Sequence, residues 1–160
     1  MVLIAYTSGS TTFTNAMWQA AGSPTEVELG TGWTEIGNYA FKDTTLTSIV
    51  MSASVTEIGI YAFENTAITT ITISKSVTNI GEGAFHQCLS LNSVTFNDIA
   101  NSELETIEGL AFYGCSGLTS IEIPASVTSI GSGLSPERAF YNCTSLASVT
   151  FVDIGNSLLE

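Results

Sequence analysis

The chain has 160 residues, 44% hydrophobic and only 11% charged, with a net charge of −12. Lys42, Lys75 and Arg138 are its only cations. It therefore repels phosphate backbones and anionic headgroups, which excludes a nucleic-acid partner and argues against membrane surfaces.

In chain order, Val2–Tyr6 (VLIAY) reads as a short strand and Thr7–Thr12 as a loop. Thr14 or Asn15 caps a short helix through Ala21, with Phe13, Met17, Ala20 and Ala21 on its apolar side. The apolar run is too short and lacks the basic start of a secretory signal, so no signal peptide is visible. Residues 1–23 read instead as an N-terminal cap that shields the first repeat. A leader already removed and a non-secreted origin both stay open.

Residues 24–160 read as a repeat array. Pro24–Phe41 is a degenerate first unit, with Val27 and Leu29 as strand residues and Trp33 where later units carry Val or Leu. Leu46–Phe63 and Ile68–Phe85 are regular. Leu91–Phe112 is five residues longer, around Asn97–Glu105, and Leu118–Phe140 carries extra residues around Gly131–Arg138. Insertions of this kind map to loops at repeat corners, where they carry binding or are merely tolerated. Leu146–Glu160 starts another unit, and Phe151–Glu160 copies Phe96–Glu105. With no C-terminal cap in view, the expectation is a fragment of a longer array whose open edge is free to self-associate.

Six columns define the unit. Phe41, Phe63, Phe85, Phe112 and Phe140 are spaced by 22, 22, 27 and 28 residues. Ile36, Ile58, Ile80, Ile107 and Ile130 form a second column. Leu46, Ile68, Leu91, Leu118 and Leu146 form a third. The remaining columns start at Trp33, Ile49 and Met51. A unit of about 22 residues is too short for a helix pair, but fits one coil of a solenoid. Ser120-Ile-Glu-Ile123 alternates polar and apolar, as a half-buried strand does, and Val127–Ile130 alternates again. Gly131 then breaks the strand, and the G-x-x-A-F-x-x-C segment has the spacing to close the coil with one helical or 3₁₀ turn. Like residues stack from coil to coil at strand separation, and no coil is stable alone. About five coils, the last incomplete, make an elongated domain.

The pattern A-F-x-x-C-x-x-L-x-S-I-x-I-P-x-S-V-T-x-I-G, carried by Ala111–Gly131 and its equivalents, strongly resembles the BspA-like leucine-rich repeats. The resemblance covers roughly residues 24–160. It implies a leucine-rich-repeat solenoid of mostly short β-strands with helical or 3₁₀ turns, stacked as a right-handed α/β-type coil. It also implies a cell-surface or secreted protein that binds host molecules or other cells.

Candidates for chemistry are few. Cys88, Cys115 and Cys143 share one column, which Thr44 and Thr66 fill earlier. A small buried thiol suits that position better than a disulfide or a zinc ligand. His86, the single histidine, sits in a slot held elsewhere by Lys42, Glu64, Tyr113 and Tyr141, and reads as a solvent-facing spacer. Asp98, Glu103, Glu105 and Glu108 lack the spacing of a calcium loop and read as a solvated acidic loop. The Ile-Gly glycines Gly37, Gly59, Gly81 and Gly131 end strands, and no lysine follows them as in a phosphate loop. No catalytic, metal-binding or cofactor-binding set emerges, and an enzyme is the least expected class.

The outward strand positions remain. Only 11% of residues are charged, against about 25% in a typical domain, so Ser, Thr, Asn and Gly must cover the surface. Ser48, Thr70, Ser93, Ser120 and Ser148 form one outward ladder. Val50, Thr72, Thr95, Glu122 and Thr150 form the other. Ser48, Thr70, Thr72, Ser93, Thr95, Ser120, Glu122, Ser148 and Thr150 are the candidate binding face. The partner expected there is a protein or a glycan. Solvated strands favour Ser and Thr in any case, so the ladders are equally explained by solubility alone. Two other readings stand beside adhesion: a structural spacer or assembly repeat, and recognition of a periodic surface such as ice or crystalline polysaccharide.

Overall fold

The computed structural model describes residues 2–4, 10–132 and 138–152. Most of the expected insertion at Gly131–Arg138 and of the copy at Phe151–Glu160 lies outside the described residues.

The described elements, in order, are β1 (Val2–Ile4), β2 (Thr12–Phe13), α1 (Asn15–Ala20), β3 (Glu26–Leu29), β4 (Glu35–Ile36), β5 (Ser48–Val50), β6 (Glu57–Ile58) and β7 (Thr70–Ile73). They continue with β8 (Asn79–Ile80), β9 (Ser93–Phe96), a 3₁₀ turn at Ile99–Asn101, β10 (Thr106–Glu108), β11 (Ser120–Ile123), β12 (Ser129–Ser132) and β13 (Ser148–Phe151). Each coil thus contributes a strand to each of the two sides of a parallel β-solenoid. The even-numbered strands join into one six-stranded sheet, β12-β10-β8-β6-β4-β2. The odd-numbered strands form three separate ladders, β1-β3-β5, β7-β9 and β11-β13. Like positions pair in register: Ile71 beside Val94, Ile121 beside Val149, Ile58 beside Ile80.

The core is the set of columns. Val27, Ile49, Ile71, Val94 and Ile121 are buried between the two sides, as are Ile36, Ile58, Ile80 and Ile107. The Phe rings form a continuous pile. Phe41, Phe63, Phe85, Phe112 and Phe140 stack with centroids 5.1–5.2 Å apart and planes within 11°. Phe13 extends the pile below Phe41 at 5.1 Å. Each ring removes a large apolar area from water on both its faces, the main stabilising term here. Phe13 belongs to β2, which pairs with β4, rather than to the helix. The helix itself spans Asn15–Ala20 and buries Trp18, whose indole N–H donates to the Pro24 carbonyl at 3.1 Å. Ala20, expected on its apolar side, is exposed.

The corner around each Phe differs from expectation. The segment Gly37–Thr44 forms consecutive turns, not a helix. The N–H groups of Ala40, Lys42 and Thr44 donate within the coil, to the carbonyls of Gly37, Tyr39 and Phe41. Those of Tyr39, Phe41 and Asp43 donate to the next coil, to Ile60, Ala62 and Glu64. A helix would spend the N–H groups beyond its first turn on itself and leave fewer to bind the neighbouring coil. The alternation requires left-handed backbone at Tyr39 (φ 58°) and Asp43 (φ 57°), repeated at Tyr61 and Asn65. Such conformations cost about 1–2 kcal/mol at a non-glycine residue, and the coil-to-coil ladder offsets that cost. Among the described residues the single 3₁₀ turn is in the Asn97–Glu105 insertion, not at a Phe corner.

The Ile-Gly pairs do more than end strands. A Cβ on Gly81 would lie 2.9 Å from the Gly59 carbonyl carbon and from the Ile58 oxygen. Glycine is required there because adjacent backbones touch. Gly131 does not end its strand; it lies inside β12 with φ 78°.

Cys88 and Cys115 are buried, Cys143 is half-buried, and all three are free thiols. Each S–H donates to the Phe carbonyl of the preceding coil: Cys88 to Phe63 at 2.9 Å, Cys115 to Phe85 at 3.1 Å, Cys143 to Phe112 at 3.0 Å. Thr44, buried in the same column, bonds the Phe41 carbonyl with its hydroxyl at 2.7 Å. The column selects a small donor, and burial pushes the Cys88 thiol up to about 11.

Candidate binding face

The outward positions of the odd-numbered strands are set by the period of two along each strand. In β7, Ile71 and Ile73 are buried while Thr70 and Thr72 are exposed. In β11, Ile121 and Ile123 are buried while Ser120 and Glu122 are exposed. Thr95, Ser148 and Thr150 are also exposed, and Ser48 and Ser93 are half-buried. The structure brings Thr70 beside Ser93 and Thr72 beside Thr95 in one ladder, and Ser120 beside Ser148 and Glu122 beside Thr150 in another. The Thr72 and Thr95 hydroxyls share a hydrogen bond of 3.0 Å. Ser48 stands apart on β5, in the third ladder.

The face is therefore three panels, not one lattice. The ladder hydrogen bonds stop between β5 and β7 and again between β9 and β11. Within a panel the residue before the strand donates across the coil gap, as Asn92 does to Thr69 and Ala147 to Thr119, both at 2.9 Å. Among the described residues no matching bond runs from Thr119 to Asn92. A cavity of about 360 Å³ opens at that break, lined among others by Thr95, Phe96, Ile99, Ser120 and Glu122. A second, of about 260 Å³, lies at the β5–β7 break beside Val50, Met51 and Thr72.

The Phe corner carries a feature the columns do not reveal. Tyr39, Tyr61, His86, Tyr113 and Tyr141 form a second row of rings outside the Phe pile, with centroids 4.7–5.9 Å apart, stacked except where Tyr61 meets His86 edge-on at 74°. Lys42 lies 5.5 Å over the Tyr39 ring and pairs with Glu64 at 2.7 Å. The Glu64 carboxylate raises the Lys42 ammonium above its ordinary value. His86 is consequently half-buried, not a solvent-facing spacer. It stacks on Tyr113 and places Nδ1 3.4 Å from Glu64 Oε1. Tyr39 and Tyr61 precede the Phe by two residues whereas His86, Tyr113 and Tyr141 follow it by one, so comparison of aligned positions splits the row.

The acidic loop is also divided. Glu103 and Glu105 are exposed, and Asp98 lies 3.7 Å from Lys75. Glu108 is half-buried and acts as a bracket between coils: Oε2 accepts the Glu82 N–H at 3.0 Å and Oε1 accepts from Asn79 Nδ2 at 3.3 Å. Among the described residues no group of three or more His, Cys, Asp or Glu side chains is placed to hold a metal ion, and no helix is long and apolar enough to cross a membrane.

Coils of about 23 residues, stacked in parallel with little helix, define a leucine-rich-repeat type of β-solenoid. The sequence matches the BspA type leucine rich repeat region in six copies, over residues 11–134 and 106–158, and the chain belongs to that family. No curated protein matches it. Among solved structures, a leucine rich cell surface protein from Faecalibacterium prausnitzii is 32% identical with a TM-score of 0.70, over 81% of this chain and 32% of that one. The pneumococcal vaccine antigen PcpA is 22% identical with a TM-score of 0.68, over 82% of this chain and 31% of that one. A leucine-rich repeat protein from Bacteroides ovatus is 24% identical with a TM-score of 0.60, over 94% of this chain and 45% of that one. The last two likenesses concern the fold. The chain spans about a third of the length of the first two.

Proposed function

We propose that the chain is a non-enzymatic binding module of a cell-surface or secreted protein, engaging a protein or glycan through its odd-strand face and corner loops. The observation that carries this reading is the division of labour along β7, β9 and β11. Alternate residues are buried in the core, while the hydroxyls and Glu122 between them face outward. A rigid repeat surface of this kind is where solenoids commonly bind. The cell-surface description of the Faecalibacterium prausnitzii relative supports the location.

The test is binding of the purified chain to a panel of matrix proteins, cells and glycans, beside a Thr70→Arg/Ser148→Arg variant. Binding by the parent that the variant loses assigns recognition to the strand face. Binding that survives moves the site to the corners. Binding by neither form turns the weight to the second reading, a spacer or assembly repeat.

One observation favours that second reading. Val149 and Phe151 occupy columns that are buried in β11, yet they are 40% and 64% exposed in β13. A second chain laid on β13 would bury them. A molecular mass that rises with concentration, and falls to that of one chain in Phe151→Ser, is the expected sign.

A further inference from the structure

The break between β9 and β11 places one charged group in an otherwise uncharged cleft. Its floor and wall are apolar: Val94 and Ile121 below, with Phe96 and the half-buried Ile99 beside them. Its rim carries the hydroxyls of Ser93, Thr95 and Ser120 and the carboxylate of Glu122. Glu122 makes no ion pair among the described residues. At about 360 Å³ the cleft sits at the small end of the roughly 300–1,000 Å³ typical of ligand sites. It has room for a side chain or a single small group.

Several occupants fit poorly. One carboxylate is too few ligands for a divalent cation. A sugar ring stacks on an exposed aromatic face, and Phe96 is buried. An anion meets Glu122 in a chain of net charge −12. A long basic side chain fits on every count. Its methylene stem lies along the half-buried Ile99, as lysine and arginine stems lie on apolar surface elsewhere. Its head reaches Glu122 and shares its remaining donors among the rim hydroxyls. The acidic surface draws a basic partner towards the face from a distance.

We propose that the β9–β11 cleft is a docking pocket for a cationic side chain, arginine or lysine, presented by a protein partner, with Glu122 as its counter-ion. This rests on the strand-face reading and narrows it to a protein ligand with an exposed basic residue.

The experiment is an amide NMR titration of the full chain with N-acetyl-arginine methylamide and N-acetyl-lysine methylamide. N-acetyl-glutamine methylamide and methyl α-glucoside are the uncharged probes. Expected is a saturable set of shifts centred on Ser93–Phe96 and Ser120–Glu122 with the two cations alone. Glu122→Gln should weaken that binding about tenfold, the scale of a lost charge-assisted hydrogen bond. Glu57→Gln, which removes the same charge from an exposed position on the opposite sheet, should leave it unchanged. Equal weakening by both variants reduces the effect to net charge and overturns the pocket. So do shifts from the glucoside in place of the cations, and so does silence at the cleft. The arms separate the two proposals. A partner lost in Thr70→Arg/Ser148→Arg but retained in Glu122→Gln keeps the face and removes the pocket. Cation binding at the cleft without any macromolecular partner does the reverse.

Discussion

The two sides of the solenoid are built from the same repeats but are held together differently. On the even-numbered side, two- to four-residue strands join without a gap into one sheet of six. The adjoining corner adds a ladder of N–H bonds and an unbroken pile of Phe rings. On the odd-numbered side, strands of three or four residues form three panels with two breaks. Strand length therefore does not decide continuity. The contrast teaches that the fold is secured along one edge, and the other side is left free to open clefts and carry varied outward residues. Coupling between repeats is nearest-neighbour in such arrays, so the secured edge should dominate every stability measurement.

The largest effect should come from the Phe pile. Phe85 is fully buried between two stacked neighbours, and Phe85→Ala should cost about 3–5 kcal/mol, read as a lower denaturation midpoint. Phe140→Ala, at a half-buried position near the last coil, should cost clearly less. Equal costs would mean that position in the pile is irrelevant to stability. Next is Gly81→Ala, whose Cβ meets backbone that cannot swing aside. Overpacking of this kind costs roughly 1–3 kcal/mol. A neutral outcome in thermal melts would show that the even-numbered sheet can part, contrary to its role as the secured side.

The cysteine column gives a smaller effect with a pH signature. Cys88→Thr should be nearly neutral, because Thr44 and Thr66 occupy the same buried position. Cys88→Val keeps the bulk but removes the donor to the Phe63 carbonyl, a loss of about 1 kcal/mol. The folded thiol titrates near 11, against an ordinary value of 9.0. The unfolded chain therefore gives up that proton first, and stability is fully present below pH 9 and declines as pH rises towards 11. The parent should lose more stability over that window than Cys88→Thr, measured as the difference between their urea midpoints. Parallel curves would place the thiolate where water reaches it.

How far the sequence reveals this depends on the kind of feature. The Phe, Ile and Cys columns are legible because stacking makes each coil demand the same residue at the same place, and Phe85 or Cys115 can be placed from spacing alone. The outward hydroxyls follow from the period of two. The turn at Tyr39–Asp43 is not legible, because alternate N–H donation to a neighbouring coil leaves no local signature and its left-handed positions hold Tyr as readily as Asn. The ring row from Tyr39 to Tyr141 is hidden because its members come from two repeat positions. The breaks beside β7 and β11 are hidden for another reason. Ser93-Val-Thr-Phe96 follows a paired neighbour and Ser120-Ile-Glu-Ile123 follows an unpaired one, with the same alternation in both.

The smallest expected effect on stability is the one that most sharpens the contrast. Thr70 and Ser148 lie on the panelled side, exposed, outside the Glu122 cleft. An exposed substitution away from caps and cores changes stability within about 0.5 kcal/mol. Arginine at both sites adds two positive charges to a surface of net −12, which relieves repulsion and does not strain the fold. Thr70→Arg/Ser148→Arg should therefore melt with the parent while its binding to the parent's partner falls. A double variant that unfolds earlier by more than that margin would show the odd-numbered panels to be as structural as the Phe edge. Any loss of binding it showed would then report lost fold rather than lost contact.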